Sequence, residues 1–222
     1  MNCRYRAVVI IVITLSIWGV IHFIYNLPSD VSSKFDLTDK IKLTVYYEAL
    51  CTDSKFFITR QLAPLQDKIP DHITIELVPY GKAVTIESAG TIIFQCQHDE
   101  LECYANKIHA CVIDSVTDPS IQLKYVACMI KNNQNPDEIA EICGKQLNID
   151  HLPILICAKE DKASQLLKKH GERTHALNPP VSFIPTIEIN GSQDLAPLSK
   201  ILKNLKQTVC SLFETRPTGC DN

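Results

Sequence analysis

The chain has 222 residues, 45% of them hydrophobic and 21% charged, with a formal net charge of −3. That length buries one substantial core and is too short for several independent domains, so one compact unit is expected. With no basic excess there is no electrostatic footprint for nucleic acid, and that class of partner is set aside.

Residues 7–25 are apolar except for Thr14, Ser16, Gly19 and His22, and they follow Arg4 and Arg6. A positive start before an apolar run is a secretory entry signal. Its length of about 19 exceeds the ~7 to 15 of a signal-peptide core and approaches the ~20 of a membrane span, and no A-x-A-like cleavage site follows closely. A signal anchor within residues 1–25 is therefore expected over a cleaved signal peptide, in type II orientation with the remainder lumenal. Either outcome puts the chain from about Asn26 onward in an oxidising compartment.

Residues 26–40, with Pro28 and three serines, read as a linker. Residues 41–47 alternate Ile41, Leu43 and Val45 and predict a strand. A helix is expected to start within residues 51–54 and to run to Pro64 or slightly beyond. Residues 73–78 predict a second strand, closed by a turn at Pro79-Tyr80-Gly81. From about 84 to 171 the pattern reads as helical. Asp118-Pro119 offers an N-cap with Pro at the first helical position, and Asn135-Pro136-Asp137-Glu138 resembles a capping box. Strand character returns at 183–190, and Asn190-Gly191 predicts a hairpin turn into a further strand. Leu195, Leu198, Leu202, Leu205, Val209 and Leu212 then step by three or four residues along a final helix. Periodicity alone thus yields an α/β protein with a helical insertion.

The chain carries ten cysteines. Cys3 precedes the apolar segment, which leaves an odd number beyond it. Setting Cys51 apart as a reactive thiol leaves Cys96, Cys103, Cys111, Cys128, Cys143, Cys157, Cys210 and Cys220, enough for complete disulfide pairing, although sequence alone does not assign the pairs. Cys96, His98 and Cys103 are the ligand types of zinc but lack its paired spacing, so no metal and no cofactor is expected.

Cys96, Gln97, His98, Glu102, Cys103, Asn106 and Cys111 fall at the spacing C-Q-H-x3-E-C-x2-N-x4-C. This resembles the signature of the gamma-interferon-inducible lysosomal thiol reductase family, with Asp99 where the family pattern has Gly. The similarity extends through Y-Y-E-A-L-C at 46–51, V-P-Y-G-K-A at 78–83, R-T-H-A-L-N-P-P at 173–180 and I-P-T-I-E-I-N-G at 184–191. The resemblance implies a thioredoxin-like fold over 41–222, interrupted by a disulfide-stapled helical subdomain. It also implies a lysosomal, endosomal or extracellular protein acting on disulfide-containing proteins or peptides. The motif itself is read as structural, with the chemistry elsewhere.

That chemistry falls on Cys51, at a strand-to-helix junction where helix amides favour a thiolate, the form that attacks disulfides. The family's C-x-x-C is here Cys51-Thr52-Asp53-Ser54. A serine cannot release a mixed disulfide as a second thiol does, so an external small thiol such as glutathione or cysteine would have to resolve it; Ser54 could still donate a hydrogen bond to the Cys51 sulfur. Pro185 matches the cis-proline position of thioredoxin-like proteins, leaving the backbone of Ile184 to pair with extended substrate. The reading is a single-cysteine thiol–disulfide oxidoreductase. The alternative is a redox-inactive polypeptide-binding module that keeps the same groove. Nothing around Cys51 resembles a papain-like or caspase-like cysteine hydrolase. Asn190-Gly191-Ser192 is an N-glycosylation sequon, placing Asn190 as a candidate acceptor.

Overall fold

A computed structural model describes residues 12–19, 22, 34–36 and 38–221. The chain divides into two units, residues 1–34 and residues 35–222. In the first, residues 12–19 and 22 are helical and exposed. The rest of the expected 7–25 anchor lies outside the described residues, and among the described residues no helix is long and apolar enough to cross a membrane.

The second unit is built on strand β1 (Ile41–Tyr47), in a three-stranded sheet of order β2-β1-β5. Strand β2 (Ile73–Pro79) runs parallel to β1 with Ile41 opposite Ile73, and β5 (Thr186–Ile189) runs antiparallel with Leu43 opposite Ile189. Ile41, Leu43, Val45 and Tyr47 are buried on one face, and Thr44 and Tyr46 are buried on the other. A strand packed on both sides needs this apolar and β-branched composition. The linker expected over 26–40 ends earlier than its composition suggests: Phe35 bridges Phe213, with Phe35 N–H donating to Leu212 O and Glu214 N–H donating to Phe35 O.

After β1 the chain forms α1 (Thr52–Phe57), a π-helical turn (Ile58–Leu62) and α2 (Ala63–Lys68). Ala63 N–H reaches back five residues to Ile58 O, and the helix passes Pro64, which supplies no N–H of its own.

The helical reading of 84–171 is corrected at its start. Strands β3 (Val84–Ser88) and β4 (Thr91–Gln95) pair as an antiparallel hairpin with Ile86 opposite Ile93. Their turn places Ala89 at φ 49° and Gly90 at φ 81°, the two positive angles of a two-residue hairpin loop. Alanine rarely takes such an angle, so Ala89-Gly90 is a weak turn signal, while the β-branched V-T-I-E-S and T-I-I-F-Q runs carry the pairing. The helices then follow as α3 (Asp99–Ser115), α4 (Pro119–Met129), α5 (Pro136–Leu147), α6 (Leu152–Lys159) and α7 (Asp161–His175). Asp118 caps α4 by accepting from Ser120 N–H at 2.8 Å. Asn135 instead bonds side chain to side chain with Glu138, so no capping-box bond to the backbone forms.

Helix α4 joins two cores. Leu123, Val126 and Ala127 pack with the sheet, whereas Tyr125 and Met129 pack with Ile108, Val112, Ala140 and Ile154 of the helical subdomain. Disulfides staple that subdomain: Cys96–Cys103, Cys111–Cys157 and Cys128–Cys143, with Cys210–Cys220 closing the C-terminal end. Their separations of 7, 46, 15 and 10 residues correspond to about 2.5 to 4 kcal/mol each by loop-closure entropy, the largest for Cys111–Cys157.

Two further expectations change. Beyond Asn190-Gly191 there is a single isolated bridge, Ile189 to Ser192, rather than a further strand; Pro197, without an N–H, opens the next helix instead. The final helix is two helices, α8 (Leu198–Lys203) and α9 (Leu205–Cys210), broken at Asn204. Asn204 Oδ1 caps α9 by accepting from Gln207 N–H. The side chain of Gln61 spans the break, donating to Leu202 O and accepting from Leu205 N–H.

Candidate active site

Between β1 and α1 lies the loop Glu48-Ala49-Leu50-Cys51. Cys51 occupies the N-cap of α1 with extended backbone angles, and its carbonyl accepts the first helical bond from Lys55 N–H at 2.9 Å. Among the described residues it is the one free cysteine, and it is partly exposed. Its Sγ lies 3.8 Å from Ile184 O. The Ile184–Pro185 bond is cis, as is Asn178–Pro179. Ile184 and Pro185 are buried, while the preceding Phe183 is exposed beside them. The fold therefore brings Cys51, Ile184 and Pro185 to one place from the two sides of the helical insertion.

Ser54 is fully buried, and its Oγ accepts from Glu48 N–H at 3.3 Å. This bond ties the first turn of α1 back to the loop's first residue. Asp53 is exposed on the first turn.

Two residues of the cysteine-rich motif hold this loop. Glu102 Oε2 accepts from Leu50 N–H at 3.3 Å, and Asn106 Oδ1 accepts from Ala49 N–H at 3.0 Å. Asn133, just beyond α4, donates to Ala49 O at 2.7 Å. Glu102, Asn106 and Asn133 are all buried, where an unpaired backbone group would cost about 1 to 3 kcal/mol. The spacing follows helical geometry: Glu102 and Asn106 are four apart on α3 and share one face, while the Cys96–Cys103 disulfide pins the start of that helix. His98 at its N-cap bonds to Glu102 twice, N–H to Oε1 at 3.2 Å and Nδ1 to Oε2 at 2.6 Å. Asp99 follows at φ 62°. That left-handed angle suits the Gly of the family pattern and is tolerated by Asp.

Glu48 was not singled out from the sequence. It is buried, its Oε1 accepts from Lys82 N–H at 2.8 Å, and its Oε2 has no hydrogen-bond partner. Burial holds its carboxyl above the ordinary carboxylate range; the Lys82 bond opposes this and the charge of Glu102 adds to it. Gly81 at φ 63° permits this contact, since a Cβ there would lie 2.2 Å from Glu48 Cγ. The P-Y-G-K-A run is thus the wall behind Glu48. Asn133, too, escaped sequence reading, because K-N-N-Q-N-P carries no periodicity that would single it out.

His109 is buried, with Nδ1 3.1 Å from Tyr47 Oη, and burial pushes it down to about 3. His175 packs edge-on against Tyr80. Cys96 and Cys103 are consumed by their disulfide, which removes them as zinc ligands beside His98. Asn190 is exposed at φ 50°, with its Oδ1 accepting from Lys42 N–H.

Residues 42–147 match the family described as "Gamma interferon inducible lysosomal thiol reductase (GILT)". The chain is similar to the gamma-interferon-inducible lysosomal thiol reductase-like protein of Anopheles gambiae, at 32% identity over 82% of this chain and 80% of that protein. To GILT-like protein 1 of Drosophila melanogaster the identity is 33%, over 82% and 79%. To the gamma-interferon-inducible lysosomal thiol reductase of Mus musculus it is 31%, over 82% and 72%. Among solved structures, MdbA, a thiol-disulfide oxidoreductase from Actinomyces oris, superposes with a TM-score of 0.58 at 16% identity, covering 81% of this chain and 83% of that one. Reduced DsbA from Mycobacterium tuberculosis gives 0.54 at 15%, covering 82% and 86%. These place the sheet and its helical insertion in the thioredoxin-like fold. With the motif, the fold and relatives above 30% identity over most of both chains in agreement, this chain belongs to the gamma-interferon-inducible lysosomal thiol reductase family.

Proposed function

We propose that the chain reduces disulfides of polypeptide substrates through Cys51 alone. The observation that carries this reading is the state of the cysteines: eight are joined in pairs, and the remaining described one sits partly exposed at a helix start, beside the Ile184 carbonyl. In the first step the Cys51 thiolate attacks one sulfur of the substrate disulfide; the other sulfur leaves as a thiolate and takes a proton. With Ser54 in the second position, an external small thiol of the glutathione or cysteine class attacks the mixed disulfide and frees the second substrate thiol. A second small thiol then regenerates Cys51. The balance is one substrate disulfide and two small thiols giving two substrate thiols and one small-molecule disulfide. The backbone of Ile184 lies where an extended substrate segment could pair beside the sulfur.

The relatives named as lysosomal support a lumenal site of action in the secretory pathway. The apolar 7–25 segment supports delivery there, either as a type II anchor or as a cleaved leader, which N-terminal sequencing of cellular material separates. The exposed Asn190 sequon supports glycan attachment, which a mobility shift on glycosidase treatment reads out.

Steady-state reduction of a disulfide-linked fluorogenic peptide tests the reading. Turnover is expected with added small thiol, to be lost in Cys51→Ser and to fall to a single stoichiometric event without thiol. A chain that binds the peptide but turns over no faster than Cys51→Ser is the polypeptide-binding module instead.

A further inference from the structure

Beside the Cys51 loop three ligand atoms converge that the thiol chemistry does not use. Glu48, His98 and Glu102 each offer one ligand atom within 4.8 Å of the others, and His98 Nδ1 stands 2.6 Å from Glu102 Oε2 and 3.8 Å from Glu48 Oε2. Both carboxylates are 1% exposed, whereas His98 is 45% exposed and opens the cluster to solvent. The decisive feature is Glu48 Oε2, a buried oxygen without a hydrogen-bond partner that faces His98 Nδ1 at 3.8 Å. An unpaired oxygen on a buried carboxylate is costly, and a cation held between Glu48, His98 and Glu102 would satisfy it.

We propose that Glu48, His98 and Glu102 bind one divalent transition-metal cation of the zinc class, joining the Cys51 loop to the start of α3. Two carboxylates and an imidazole are borderline-hard ligands suited to such a cation, with a further position left to water. For a tetrahedral ion with ligand distances near 2.0 to 2.2 Å, neighbouring ligand atoms stand about 3.4 Å apart. The observed 2.6 Å between His98 Nδ1 and Glu102 Oε2, and 3.8 Å to Glu48 Oε2, straddle that value. Small side-chain rotations would equalise them, with the metal taking the place of the His98–Glu102 hydrogen bond.

The supporting contacts are already in place. Glu48 Oε1 is held by Lys82 N–H and Glu102 Oε1 by His98 N–H, so both carboxylates are oriented toward the cluster, and Glu48 presents its other oxygen unpartnered. The Cys96–Cys103 disulfide brackets His98 and Glu102 and fixes their approach. Because Glu102 Oε2 also accepts from Leu50 N–H, a bound ion would stiffen the loop that carries Cys51.

The test is zinc competition against a chromophoric chelator at pH 7.5, using the purified full chain stripped with EDTA and carbamidomethylated at Cys51 so that the thiol cannot contribute. One zinc per chain is expected, bound at least tenfold more weakly by Glu48→Gln and by His98→Gln. Glu100→Gln, an exposed carboxylate on the same helix, is expected to bind as the parent does. Zinc is also expected to raise the Tm of the parent and of Glu100→Gln but not of His98→Gln, a half-exposed site whose replacement leaves the buried core intact. No stoichiometric zinc in the parent, or equal affinity in His98→Gln, overturns the proposal. Either result leaves the Cys51 reading untouched, because the thiol is blocked throughout.

Discussion

Asn106 Oδ1 accepts a hydrogen bond from Ala49 N–H at 3.0 Å, across 57 residues of chain. The motif asparagine is thus a brace for the segment that leads into Cys51, and Glu102 acts likewise on Leu50. Replacing Asn106 with Leu strands a buried amide. Stability is expected to fall by about 1 to 3 kcal/mol. The single-turnover rate of mixed-disulfide formation is expected to drop at least threefold as the loop loosens. An unchanged urea midpoint together with an unchanged rate would show that the brace is dispensable.

Differential alkylation followed by mass spectrometry reads the thiol inventory directly. Cys51 is expected to label fully under native, non-reducing conditions, and the paired cysteines 96, 103, 111, 128, 143, 157, 210 and 220 only after reduction. Negligible label at Cys51, or full label at two or more of the others, contradicts the arrangement.

Ser54→Cys places a thiol at the buried position behind Cys51 and restores an internal resolving group. This variant is expected to lower the accumulation of mixed disulfide and to reduce a second substrate disulfide only after its own new disulfide is reduced. Parent and variant trapping the same amount of mixed disulfide, without added thiol, would mean that residue 54 does not limit the cycle.

Acid sensitivity should report on His109. Its folded value of about 3 lies below the ordinary 6.5, so the unfolded chain binds a proton that the folded chain refuses. Stability contributed by the neutral ring is full above about pH 6.5 and declines as pH falls toward 3. Between pH 7.5 and 5 the loss is about 2 kcal/mol. Because buried His170, pushed down to about 4, loses stability over the same range in both proteins, urea unfolding at the two pH values is expected to show a loss larger in the parent than in His109→Gln by about that amount. Identical pH slopes for the two proteins would count against a buried neutral His109.

Asp99 stands at φ 62°, a backbone position costing roughly 1 to 2 kcal/mol for most L-residues and less for Asp. Asp99→Gly is expected to hold or raise stability by up to about 1 kcal/mol, and Asp99→Val to lower it by about 1 to 2 kcal/mol. Equal midpoints for the Gly and Val variants would place the residue in ordinary backbone.

Local chemistry was legible where it acts over a few residues. The β1 alternation, the Asp118 cap, the Cys51 junction and the motif spacing each follow from neighbours in sequence, and together with the family resemblance they pointed to the thioredoxin-like fold. The β3–β4 hairpin was obscured because its turn uses Ala89 rather than a residue that favours positive φ. The break at Asn204 was obscured because the leucine periodicity continues across it while Gln61, far away in sequence, satisfies the broken backbone.

Sequence alone pointed to the family, to an oxidised cysteine set with Cys51 apart, and to Ile184 and Pro185 as its neighbours. Only the tertiary structure decided which cysteines pair, that Ser54 turns back to Glu48, and that Glu48 and Asn133 belong with Glu102 and Asn106 around the loop. The reason is physical: spacing reports contacts within a helix or strand, whereas these bonds join segments that meet only once the sheet and the helical insertion have packed together.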